Sequence, residues 1–124
     1  MNTETEILSK AAEMINADRI GALEPGDRIG IIALSGKTLT RYLDGTERIV
    51  LDVMMQGIDA DQRALIADMN GKCDILCGNA RKIHGDNYRV FSIRIGSLPA
   101  PSSMLKDGRW YFKATLRIDY VKTK

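Results

Sequence analysis

The residues of this sequence that could carry chemistry are few. They are Cys73, Cys77, the lone His84, the neighbouring carboxylates Asp59 and Asp61, and the pair Gly71-Lys72. Cysteines four apart on a helix share a face, but a disulfide at that spacing within one helix is strained. A metal site needs more ligands than two thiols and one imidazole. A Cys–His pair could act in nucleophilic catalysis, yet helical cysteines beside a turn histidine need no function, and two small buried apolar residues is the favoured reading. Asp59 and Asp61 could work as paired carboxylates, but acidic residues at a helix start serve as caps and complement the helix dipole. Gly71-Lys72 lacks the earlier glycine and the following Ser or Thr of a phosphate loop, and the glycines do not form a dinucleotide fingerprint. These residues imply no enzyme, no cofactor and no bound metal.

The elements that would position any site are clearer. At 124 residues with a net charge of +2, the chain fits one domain spanning residues 1–124. That charge is too small to imply nucleic-acid binding by bulk electrostatics. The acidic start has no apolar signal region and no apolar run is long enough for a membrane helix, so a cytoplasmic location is expected. Thr3 with Glu6 reads as a capping box for a helix with Ile7, Leu8, Ala11, Ala12, Met14 and Ile15 on one stripe, stopping between Ala17 and Leu23. Ile29 to Leu34 reads as a strand, Ser35-Gly36 as a turn, and Thr38 to Leu43 as a second strand. Asp44-Gly45 signals a hairpin into Arg48–Met55. A second helix opens at Asp59 with Gln62 three residues on, carries Leu65, Ile66, Met69, Cys73 and Leu76 on one face, and stops at Gly78-Asn79.

Tyr88–Ile95 and Arg109–Val121 read as strands. In the longer one Trp110, Phe112, Ala114, Leu116, Ile118 and Tyr120 alternate with Tyr111, Lys113, Thr115, Arg117 and Asp119, so one face is buried and the other is wet or meets a partner. Pro99 and Pro101 mark Gly96–Ser103 as a stiff loop that does not pair as a strand. The fold class implied is α+β: a mainly antiparallel sheet with two amphipathic helices packed on one face. The basic residues Lys113, Arg117, Arg89 and Arg94 on the last two strands, and Arg81, Lys82 and His84 in the turn, are first a solvated surface and second a face for another subunit or a passing polyanion.

The capped first helix, the strand "ERIVLDVMMQG", the helix "IDADQRALIADMNGKCDIL" and the closing "YRVFSIRIGSLPAPSSMLKDGRWYFKATLRIDYVK" together resemble the small tail terminator proteins of long-tailed bacteriophages and prophages, often labelled minor capsid or head–tail joining proteins. The resemblance spans nearly the whole chain. It implies a mechanical role: a ring, commonly six-fold, that closes the finished tail tube, ends its polymerisation and offers the head a docking surface. The implied partners are further copies of itself, the tail-tube protein and the head–tail connector, with DNA only passing through the lumen and no membrane. The implied location is the tail or neck of the virion, reached from the host cytoplasm. The family brings no catalytic residues.

The residues themselves offer interface candidates: Tyr111, Lys113, Thr115 and Arg117 on the last strand, Leu98, Pro99 and Pro101 in the arm, and Arg41 and Asp44 at the hairpin. Other readings stand beside this one. They are another head–tail joining, head-completion or tail-tube protein, an unrelated α+β module for a small ligand or protein, and, least supported, an enzyme.

Overall fold

A computed structural model describes residues 2–123. Helix α1 (Thr3–Ile15) leads into the two-residue strand β1 (Arg19–Ile20) and the long strands β2 (Ile29–Arg41) and β3 (Glu47–Asp59). Helix α2 (Gln62–Gly78) and a 3-10 turn (Ala80–Lys82) follow, then the short β4 (His84–Gly85) and the long β5 (Tyr88–Met104) and β6 (Trp110–Lys122). The strands form one sheet in the order β1-β2-β3-β6-β5-β4. Every pair is antiparallel except β1 with β2. This is the α+β class read from the sequence.

The alternation along β6 is borne out. Phe112, Ala114, Leu116, Ile118 and Tyr120 are all buried on the face that carries the helices, with Trp110 partly buried at its start. They meet Ile49, Leu51, Val53 and Met55 of β3 and the stripes Ile7, Leu8, Ala11 and Ile15 of α1 and Leu65, Met69, Cys73 and Leu76 of α2. Gly57 lets α2 approach closely: a Cβ there would stand 2.7 Å from the Met69 sulfur and 2.8 Å from Leu65 Cδ1. Arg28 ties the start of β2 to this corner, donating to Asp59 at 2.8 Å and pairing with Asp68.

Five expectations are corrected. The cap of α1 is Asn2, whose side chain accepts from Thr5 N at 2.8 Å, while Thr3 is buried. The helix ends early because Asn16 takes the left-handed conformation at φ 53°, where its short polar side chain is tolerated. The cap of α2 is Asp61, which accepts from Ala64 N at 3.2 Å. Asp59 instead ends β3, and its carboxylate takes Asp61 N at 3.0 Å. Backbone hydrogen bonding, then Arg28, holds that carboxyl below the usual range.

Ser35-Gly36 is not a turn. Bulges between Ala33 and Ser35 and between Thr38 and Thr40 absorb the misfit, so β2 runs unbroken opposite β3. The Pro-bearing stretch is not a free loop either. It continues β5 to Met104, with Ala100 opposite Lys113 and Pro101 opposite Phe112. Register shifts on both sides of Ser97 and between Pro101 and Ser103 accommodate it, because β5 is an outer strand over this length and a missing N–H there costs little. The Asp44-Gly45 hairpin forms as expected, with Tyr42 N donating to Thr46 O at 2.8 Å and Gly45 at φ 89°.

Candidate functional site

The sheet face opposite the helices gathers the polar residues. β6 runs through its middle, flanked by β3 and β5, so it offers no free edge of its own. Lys113, Thr115 and Arg117 rise along its centre because each falls between two buried residues of the strand, and Tyr111 continues the row between the partly buried Trp110 and the buried Phe112. Arg117 donates to Asp52 of β3 at 3.3 Å. Thr115 and Ser97 of β5 share a hydroxyl–hydroxyl bond at 2.8 Å. Tyr111 donates to Gln56 at 2.5 Å, and the Lys113 ammonium lies 5.6 Å from the Tyr111 ring centroid. Burial pushes the Tyr111 phenol up from its ordinary value.

Asp119 closes this face and departs from it. Its side chain is only 3% exposed, yet it belongs to the polar set of β6. One carboxylate oxygen accepts from Ser92 at 3.0 Å and from Arg94 at 3.1 Å, and the other is buried with no partner. Arg48, one strand away, has a buried unpartnered Nε, and its guanidinium lies 5.0 Å from the Phe91 ring centroid. A hollow of about 550 Å³ opens over the centre of the face, bordered by Leu34 and Ser35 of β2 on one side and by Arg94–Gly96 of β5 on the other. Residues of both outer strands thus border one hollow over the two central strands.

The remaining candidates lie elsewhere. Leu98 and Pro101 are exposed on β5 and Pro99 is partly buried there. Arg41 and Asp44 sit at the opposite end of the sheet. Arg41 reaches Glu47 at 3.3 Å, and the Asp44 carboxyl is held low by hydrogen bonds from Thr46. The structure therefore assembles the β6 candidates with Ser97, while Arg41 and Asp44 stay apart from them. Asp52, Gln56 and Ser92 complete the face and were not singled out from sequence. The signal for Asp52 and Gln56 was their outward position in the alternation of β3. For Ser92, a bulge between Val90 and Ser92 hides it.

Cys73 and Cys77 are free thiols. Burial raises both, Cys73 to about 11, which keeps it protonated and unreactive near neutral pH. Among the described residues no three His, Cys, Asp or Glu side chains gather. Among the described residues no helix is long and apolar enough to cross a membrane.

Fold and face together define an α+β protein with a helix-backed sheet and a broad, polar, shallow second face. No family model matches the sequence and no curated protein matches it. Among solved structures the chain is similar to one from the "virion of native gene transfer agent (GTA) particle", with a TM-score of 0.59 and 13% identity over 89% of this chain and 83% of that one. At that identity the likeness shows a shared fold.

Proposed function

We propose that the protein is a structural subunit of a phage-like particle, which closes as a ring on the end of the tail tube, ends its growth and presents the surface on which the head docks. The observation that carries this reading is the fold itself, shared over most of both chains with a component of a gene transfer agent virion. The helix-free face supports it. Two of its arginines are paired in place, Arg117 with Asp52 and Arg94 with Asp119, which weakens the grip of the face on DNA passing through. A heterologous contact repeated by rotation closes into a ring. The protein acts mechanically, without catalysis, cofactor or metal, and its place is the neck of the virion after assembly in the host.

The test is deletion of the gene from the phage or prophage that carries it, with tails imaged by electron microscopy. Tails of uncontrolled length without heads, restored to uniform headed tails by the wild-type gene, are expected. Uniform headed tails from the deletion overturn the reading. Self-polymerisation of the purified protein into long tubes replaces it with a tube subunit.

A further inference from the structure

Six of the ten arginines pair with a carboxylate of the chain. Of the four that do not among the described residues, three gather around one aromatic ring. The Arg48 guanidinium lies 5.0 Å from the Phe91 ring centroid, and Arg81 and Arg89 border a hollow of about 380 Å³ together with Phe91, His84, Val90 and Val121. Register explains the gathering. His84 is opposite Arg89, Arg89 opposite Val121 and Val121 opposite Arg48, so one row across β4, β5, β6 and β3 carries three basic residues on the helix-free face. The bulge between Val90 and Ser92 brings Phe91 to the same place. The strap after α2 supplies Arg81. Ile83 anchors that strap in the core, its carbonyl accepts from Val90 N at 3.0 Å, and Lys10 of α1 donates to the His84 carbonyl. Arg81 and His84 are thereby held on either side of a buried residue. Asp119, the next outward residue on β6, is committed to Ser92 and Arg94. Asp86 in the turn before β5 borders the neighbouring hollow with His84 and Arg89 and pairs with neither. Like charges at facing positions work against a sheet, so a row of this kind without its own acids is suited to receive one.

We propose that this hollow is a docking site for an acidic segment of another protein, whose Asp or Glu side chain is held between Arg81 and Arg89 with its aliphatic carbons against Phe91 and Val121. Guanidinium groups suit that task, because their paired N–H donors match the two oxygens of a carboxylate. The hollow also lies within the roughly 300–1,000 Å³ of ligand pockets. Three observations select a peptide over a nucleic acid. First, the cations converge on one recess from the strap, β4 and β5, whereas a nucleic-acid backbone is tracked by a stripe. Second, the wall is half apolar, with Val90, Phe91 and Val121 receiving carbon that a phosphate backbone does not offer. Third, the arginines further along the face, Arg94 and Arg117, already hold Asp119 and Asp52, so no arginine stripe extends from the hollow, and the whole chain carries only +2. The site needs no particular place for the subunit within a particle.

The experiment follows the fluorescence anisotropy of a labelled peptide of glutamates interspersed with leucines, titrated with the full chain at low salt. The same peptide with glutamine in place of glutamate, duplex DNA and oligothymidylate serve as competitors. The acidic peptide should bind saturably, with an affinity that falls as salt rises, and the glutamine peptide should not displace it. Arg81→Gln and Arg89→Gln should each weaken binding about tenfold while melting like wild type, since both side chains are exposed. Arg89→Lys, which keeps the charge and loses the fork, should fall between. Arg63→Gln removes the same charge from the exposed side of α2 and should leave binding unchanged. A loss in Arg63→Gln equal to that in the hollow variants would reduce the binding to net charge and overturn the proposal. So would the absence of saturable binding at low salt. DNA that binds more tightly than the peptide, with the same dependence on Arg81 and Arg89, would overturn it in favour of a nucleic-acid site.

Discussion

The two halves of β2 share a strand and differ in every other respect. Ile29 and Ile31 are buried against the helices, while residues 34–41 are exposed. β5 repeats the contrast in reverse position, with Tyr88, Val90 and Ile93 buried and residues 94–98 bare. The buried halves hold the fold together. The bare halves contribute little to it, yet they keep strand geometry and apolar side chains, which is costly for a surface with no partner. The buried halves therefore carry stability and the bare halves do not, and substitutions should separate the two.

The largest stability effect should come from the buried side. Phe112→Ala empties a fully buried site in the core and should cost about 3–5 kcal/mol, read as a large drop in the denaturation midpoint. A loss under 1 kcal/mol would mean that the core is looser than its packing shows. Helix ends come next. Asp61→Ala removes the side-chain acceptor for Ala64 N and should cost about 1 kcal/mol. Asn16→Ala should cost about 1–2 kcal/mol from its positive φ, whereas Asn16→Gly should be nearly neutral; equal losses would refute the conformational cause.

An acid titration sharpens the same picture. The carboxyl of Asp59 is held below its ordinary value by the Asp61 N–H and by Arg28. A depressed folded-state pKa gives stability that is full above the unfolded value, about 4, and is lost as pH falls through the lower folded value. Wild type should lose stability below pH ~4, and Asp59→Asn should show a shallower acid slope while being less stable at neutral pH. An unchanged slope would remove Asp59 from the account. The smallest stability effect belongs to the bare corners. Leu98→Ser should shift stability by no more than about 0.5 kcal/mol while reducing the recovery of headed tails. A variant that melts early would show that the corner belongs to the fold instead.

The legible part of the site was the alternation of β6, which placed Tyr111, Lys113, Thr115 and Arg117 on one face without any knowledge of neighbours. Their partners were not legible. Asp52, Ser97 and Gln56 meet them only because β3 and β5 flank β6, and strand order is a tertiary fact. The proline stretch misled for a related reason: proline forbids a central strand, and nothing local says that β5 is an outer one there. The turn expected at Ser35-Gly36 failed because a bulge passes two residues opposite one, which blurs the period of two that pattern reading depends on.

By itself the sequence determined the α+β class, the two helical stripes, the Asp44-Gly45 hairpin and the two faces of the last strand. These follow from periods of 3.6 and 2 and from turn chemistry, all local properties of the chain. Tertiary structure alone decided that β6 lies inside the sheet, that Asp119 is buried among polar neighbours, and that the bare ends of β2 and β5 stand at diagonal corners. Those depend on which strands lie side by side and how far each outlasts its cover, and no local signal encodes contacts between residues so distant along the chain.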